Sequence, residues 1–383
     1  MTTGRRSDPE AAPPEAPPLD ERLAELRDEI DGIDDALVAL LDRRAQAAQA
    51  VGEAKRDAGA HFYVPARERA IFERLLKKNE TFPDEGVRAV FREIIAASLA
   101  LEQPLTVAFL GPEGTFSHQA AKEHFGLGAR LRPSPTFHDV FDEVERGRAA
   151  YAVVPIENTT EGVVGETMDR FRTTPLTIVA ETVIEISHQL LSRSGQITDI
   201  QKVFSHPQPA GQCRDWLRDH LRGVPVVEVA STAMAARLAA EDPTSAAIAS
   251  EVAARIYDLR VVRGRIEDQA WNYTRFLVVG REPVESTGCD KTSLMLTADH
   301  RPGGLFSLLE PLAQAGINLS KIESRPERER PFEYSFYVDI EGHRDEPAVA
   351  AALAALEERS AFFKVLGSYP RARPPALPKD AAQ

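Results

Sequence analysis

The chain has 383 residues, 43% of them hydrophobic, and a formal net charge of −13; this is enough for two or three domains with real cores. The acidity argues against a nucleic-acid binder, which would carry a basic domain or stripe. Cys213 and Cys289 lie far apart without a CxxC pair, so neither a disulfide framework nor a thiolate metal site is expected, and the compartment reads as a reducing cytoplasm.

Residues 1–18 hold Arg5 and Arg6, no apolar stretch, and then a Pro, Ala and Glu run. A disordered tail rather than a signal peptide is expected there, with another over 371–383. No run of about 18 apolar residues occurs, so no membrane span is expected. From Asp20 to Asp57, Leu23, Leu26, Ile30, Ile33, Leu37, Leu40, Leu41 and Val51 recur at helical spacing, predicting one long helix with an apolar stripe against other helices. On it, Arg44 and Lys55 fall about 16 Å apart on nearly the same face, whereas Arg27 lies about 25 Å before Arg44 and a quarter turn round. An antiparallel partner helix would bring one chain's Arg27 to the other's Arg44 and Lys55. This implies an intertwined homodimer with a small-anion site, although a solvated basic face fits the same spacing.

A second helix is expected over 66–79 after Pro65, and a third from Asp84 to Glu102, with Pro104 closing an all-α region. From 105 to about 283 short apolar runs such as LTVAFL and AYAVVPI alternate with helical stretches near 117–125 and 162–171, an α/β pattern with buried strands. From 291 to 370 the order strand, helix, strand, strand, helix, strand is the ferredoxin-like α+β arrangement.

GPEGTFSH (111–118), VVPIENTTEG (153–162), FSHPQPAGQC (204–213), STA (231–233) and NYTRF (272–276) resemble the motifs of prephenate dehydratases. The first region resembles the all-helical chorismate mutases. The last resembles ACT domains, with PGGLF (302–306) and ESRP (323–326) near the expected ligand motifs. Together they resemble the bifunctional P-proteins of phenylalanine biosynthesis. The resemblance implies a mutase domain over 19–103, a two-lobed, periplasmic-binding-protein-like dehydratase domain over 105–283 and an ACT domain over 291–370.

Rearrangement of chorismate needs no proton transfer or covalent intermediate, so cations and hydrogen-bond donors that hold a compact dicarboxylate suffice. By the family's pattern, the partner subunit's Arg27 and Arg44 would clamp the carboxylates and Lys55 would face the ether oxygen. Glu68, beside Arg67, would accept from the ring hydroxyl. Val64 stands where another member carries an aspartate that contributes its backbone. Ser98 and Glu102 share a face of the third helix. Glu102 occupies a position where some mutases carry a donating glutamine, and only a protonated carboxyl can donate. Mutase activity is therefore expected to fall with rising pH, and Glu102→Gln to flatten the profile. A surface salt bridge for Arg67 and an exposed helix end for Glu102 are the plainer alternatives.

Prephenate loses carbon dioxide and its ring hydroxyl together, which calls for a proton donor. The family assigns Thr274 the leading role. A threonine hydroxyl is too weak an acid to act alone, so Glu157 or Asn158, at a strand's C-terminal end where open α/β sheets place ligands, would complete a relay. Thr115, Ser205, Gln212, Ser231, Thr232, Arg275 and Phe276 are expected to hold substrate. Ser231 or Thr232 also reads as a helix N-cap, Arg275 as a structural ion-pair partner, and His118 and His206 as structural histidines rather than general acids.

In the last region Gly303 and Gly304 would let backbone approach a small ligand, unless they only serve a turn. With Leu305, Asn318, Leu319, Glu323, Ser324 and Arg325 they would bind L-phenylalanine as feedback inhibitor where two such domains meet. No metal motif or nucleotide glycine loop is present, so no metal or organic cofactor is implied. The expected function is conversion of chorismate to prephenate and of prephenate to phenylpyruvate. The alternatives are a dehydratase with a vestigial mutase domain, and a non-catalytic amino-acid-responsive binding protein.

Overall fold

The computed structural model describes residues 19–58, 63–299, 301–326 and 334–372. The tail expected over 1–18 lies outside these residues, as does 373–383. Arg371 and Ala372, expected in a tail, are instead tied down: their backbone N–H groups donate to Cys289 O at 3.1 Å and to the Glu181 carboxylate at 2.8 Å.

The helical region consists of α1 (Leu19–Ala58), α2 (Pro65–Leu76) and α3 (Asp84–Glu102). Pro65 opens α2 at a position whose N–H needs no partner, and acidic residues fill the first turns of all three, where the helix dipole favours them. The C-terminal part of α1 packs on α3 so closely that a Cβ at Gly52 would stand 2.8 Å from Glu102 Cα, which is why a glycine is needed there. Further back, Leu26, Ile30, Ile33 and Leu37 are each more than half exposed. The apolar stripe exists, but the described residues of its own chain do not cover it.

The middle region has two lobes. In the first, β1 (Thr106–Leu110), α4 (Phe116–Phe125), β2 (Arg130–Ser134), α5 (Phe137–Glu145), β3 (Tyr151–Asn158), β4 (Gly162–Val163), α6 (Gly165–Thr173) and β5 (Thr177–Glu185) follow in order. The second contains β6 (Gln189–Ser192), β7 (Lys202–Ser205), α7 (Pro207–Gln212), α8 (Arg214–His220), β8 (Val226–Glu228), α9 (Thr232–Glu241), β9 (Ser245–Ala249), α10 (Glu251–Ile256) and β10 (Arg260–Arg263). The chain then returns as β11 (Tyr273–Gly280) to lie between β3 and β5. The sheets run β2-β1-β3-β11-β5, with β4 beside β3, and β10-β6-β9-β7-β8. Strands β1 and β3 read as continuous apolar runs because both sheet faces are covered: Val107, Ala108, Phe109, Val153 and Val154 are fully buried.

The last region places β12 (Asp290–Thr297), α11 (Gly304–Gln314), β13 (Leu319–Pro326), β14 (Tyr334–Glu341), α12 (Pro347–Arg359) and β15 (Phe362–Pro370) in a sheet ordered β13-β14-β12-β15, as the ferredoxin-like reading expects. One face packs on its helices through Leu294, Leu296, Val338 and Ile340. The other gives Met295, Tyr337, Leu366 and Tyr369 to a core shared with Met168, Phe171, Ile178 and Leu277 of the first lobe. No helix among the described residues is long and apolar enough to cross a membrane.

Candidate active sites

A cavity of about 470 Å³ between α1, α2 and α3 is lined by Arg44, Lys55, Val64, Arg67, Glu68, Ser98 and Glu102. Every residue expected in the first site is therefore brought together except Arg27, which is exposed on α1 outside the cavity. The Arg44 guanidinium donates to Ser98 Oγ and, at 3.2 Å, to Ile94 O. Burial lowers its pKa against the opposing pull of Glu102. Lys55 Nζ donates to Glu102 Oε2 at 2.9 Å, an ion pair inside the cavity. Burial raises the Glu68 carboxyl to about 7, with Arg92 pulling the other way. Tyr63, absent from the expected set, also lines the cavity. Its hydroxyl lies 2.7 Å from His124 Nε2 of α4, and burial, then Arg92, brings that imidazole down to about 4. Nothing in the sequence near Tyr63 signals this contact, because it depends on how the helices dock on the first lobe.

The second candidate site lies at the junction of the two lobes. Thr115, Asn158, Ser205 and Ser231 stand at or just past the C-terminal ends of the parallel strands β1, β3, β7 and β8, the rim where open α/β sheets present ligands. Asn158 and Thr274 are register partners on β3 and β11. Asn158 Oδ1 accepts the backbone N–H groups of Thr160 and Glu161 at 2.9 and 3.0 Å, which fixes its amide orientation. Its Nδ2 then faces Thr274 Oγ1 at 2.8 Å and Asn272 Oδ1 at 2.7 Å. The network continues from Asn272 Nδ2 to Gln212 Oε1 at 3.1 Å, from Gln212 Nε2 to Glu161 Oε1 at 3.0 Å, and from the buried His188 Nε2 to Gln212 Oε1 at 2.7 Å. Burial lowers the His188 pKa, leaving a neutral ring that donates from Nε2. Gln212 and Asn272 also line an adjoining cavity of about 520 Å³, with Gln208 and the exposed Arg214 from the second lobe. Asn272, His188 and Arg214 were not anticipated; only NYTRF held a signal, and it pointed past Asn272 to Thr274.

Several expected substrate contacts have other work. Ser231 caps α9 by accepting from Met234 N at 3.1 Å, with Thr232 buried behind it. Thr115 caps α4 and donates to Leu110 O and Pro112 O, and the fully buried Ser205 Oγ donates to His206 O at 2.9 Å. His206 caps α7, while His118 stacks on Phe109 and accepts from Gly114 N. Phe276 is 1% exposed in the first lobe's core, so it supports the sheet instead of meeting a ligand. Arg275 reaches away from the cleft. Its Nε donates to Glu181 at 2.7 Å, Nη1 to Asp339 at 2.6 Å and Nη2 to the Tyr369 hydroxyl at 3.0 Å. Burial opposes this charge, but Tyr369, Asp339 and Glu181 together raise the guanidinium pKa. Glu157 likewise faces Lys321 of β13 at 2.5 Å. Both corrections have one cause: neighbours on a strand point to opposite faces.

On the ferredoxin-like region, Gly303 takes the left-handed conformation (φ 78°) and Gly304 backs onto Asp299 O, where a Cβ would stand 2.3 Å away. Leu305, Phe306, Asn318 and Ser324 are exposed. Leu319, Glu323 and Arg325 alternate inward along β13, and Arg325 pairs with Asp169 of α6 at 3.1 Å. That places Arg325 at the boundary with the first lobe.

Comparison with known proteins matches each of the three regions to a family. Residues 26–103 match the chorismate mutase type II family, 107–284 the prephenate dehydratase family and 292–358 the ACT domain family. A bifunctional chorismate mutase/prephenate dehydratase of Aquifex aeolicus is 48% identical over 92% of this chain and 99% of its own length. The chain belongs to the bifunctional chorismate mutase/prephenate dehydratase family. Another member, from Neisseria gonorrhoeae, is 47% identical over 92% of this chain and 98% of its length. The crystal structure of prephenate dehydratase from Arthrobacter aurescens in complex with L-Phe aligns with a TM-score of 0.65 and 37% identity over 71% of this chain and 92% of that one. The first candidate site thus lies within the match to mutases, and the second within the match to dehydratases.

Proposed function

We propose that this chain rearranges chorismate to prephenate in the helical cavity and converts prephenate to phenylpyruvate in the cleft. It does so as a cytoplasmic homodimer inhibited by L-phenylalanine. The observation that carries the reading is the presence, in one chain of the family, of both a cation-lined cavity and a Thr274–Asn158 pair at the strand ends. Arg44 and the partner subunit's Arg27 take the two carboxylates and Lys55 the ether oxygen as its bond breaks. The uncovered stripe on α1 supports a second copy, since a half-exposed row of Leu and Ile gains most by packing on its like. In the cleft, the Asn158 amide occupies a lone pair of Thr274 Oγ1, so the threonine hydroxyl proton points elsewhere and hydrogen-bonds the departing ring oxygen, stabilising the charge it develops while the threonine keeps its proton. Gln212, held by His188 and Asn272, offers the remaining polar edge.

A coupled assay from chorismate to phenylpyruvate, with each step also followed alone, tests the reading. Lys55→Ala is expected to lower only the mutase step, and Thr274→Val only the dehydratase step, each by about 10²-fold or more. Loss of both steps in either variant would refute two separate sites.

A further inference from the structure

Strands β3 and β11 each carry a cleft residue and, next to it, a residue gripped by the regulatory sheet. Asn158 and Thr274 are register partners facing the cleft, and Glu157 and Arg275 are register partners facing the other way. The two outer grips differ in kind. Arg275 is braced on both sides of the boundary, by Glu181 of its own lobe as well as by Asp339 and Tyr369, and Lys291 shares Glu181 at 3.1 Å. Lys321, by contrast, is only 11% exposed, makes no well-angled hydrogen bond, and has Glu157, at 2.5 Å, as its one ionic partner among the described residues. It sits on β13, an edge strand paired, among the described residues, only with β14, and between Leu319 and Glu323, two of the residues proposed to flank bound phenylalanine. An edge strand with a single sheet neighbour shifts more readily than a central one. A buried ammonium with one partner does not let that partner go without a large penalty.

We infer that Glu157 is a positioning residue of the dehydratase, and that the Lys321–Glu157 ion pair carries occupancy of the phenylalanine site into the Asn158–Thr274 pair. When a ligand favours a displaced β13, Lys321 draws Glu157 with it. The next residue along the same strand, Asn158, then changes how it presents its amide to Thr274. The effect needs only that phenylalanine bind the displaced arrangement better than the other. The inference rests on the regulatory reading proposed above and names its route.

The test uses the full chain as wild type, Lys321→Met, Glu157→Gln and the double variant. Phenylalanine binding is measured by calorimetry, alongside dehydratase kcat and KM and the phenylalanine concentration for half inhibition; mutase activity reports an intact fold. Lys321→Met is expected to bind phenylalanine within about threefold of wild type and to keep uninhibited kcat within about twofold, while half inhibition moves up about tenfold, in the usual range of site–site coupling. Glu157→Gln should shift inhibition by a similar factor, and the double variant no further than either single one. Wild-type inhibition in Lys321→Met, or additive shifts in the double variant, overturns the inference and leaves the regulatory reading standing. Loss of phenylalanine binding in Lys321→Met also overturns it, by making the lysine a ligand contact. A wild type that binds no phenylalanine overturns both.

Discussion

Glu68 is where the structure makes a pH dependence calculable. Its carboxyl rises from 4.5 to about 7, chiefly because burial disfavours the charged form. The neutral form is thus favoured in the fold: its contribution is fully present below the unfolded value near 4.5 and is lost as pH rises through about 7. The shift corresponds to at most about 3 kcal/mol. Because the side chain is only partly buried and borders a cavity, about 1–2 kcal/mol is the realistic share after solvent screening. Glu68→Gln should therefore unfold at higher urea than wild type at pH 8 and at the same urea at pH 4. The same charge acts on the substrate. Above about pH 7 an extra carboxylate stands beside a dianion, worth roughly 1–2 kcal/mol at an effective dielectric near 20, so mutase KM should rise about tenfold between pH 6 and 8 while kcat changes little. In Glu68→Gln that step should vanish. A step that persists in Glu68→Gln but disappears in Glu102→Gln would refute the assignment and return the titration to the Lys55–Glu102 pair.

Arg275→Met takes the buried counter-charge from Asp339 and leaves Glu181 with Lys291 alone, and should cost about 3–5 kcal/mol in thermal or urea unfolding; unchanged stability with a raised prephenate KM would instead put Arg275 on the substrate. Leu37→Glu on the uncovered stripe of α1 should yield monomers by light scattering and lower mutase activity by at least about 10²-fold, since the proposed dimer, and with it the partner subunit's Arg27, would be lost. A Leu37→Glu dimer with full mutase activity would show that the stripe is not the interface.

The extent to which the sites could be read from the chain follows from what each region buries. In the helical region the expected residues recur in one cavity because they lie one helical face apart on segments long enough for the 3.6-residue period to be unambiguous. Tyr63 escaped because its role comes from His124, 61 residues away. In the cleft, Asn158 and Thr274 were legible from their motifs and their place at strand ends. Glu157 and Arg275 sat in the same motifs and went elsewhere.

By itself the sequence determined the order of elements in the helical and ferredoxin-like regions, the fold class of each region and the two reactions of the family, because periodicity, prolines and short motifs are local and survive without knowledge of packing. Only the tertiary structure decided which side of β3 and β11 faces ligand and which faces the regulatory sheet, because a strand reverses its side chains at every residue and only a packed neighbour says which face is which. The same holds for charge. Glu68 and Glu102 are both carboxylates on helices, and it is Lys55 beside one and burial around the other that separate an ion pair from a group that titrates near neutrality.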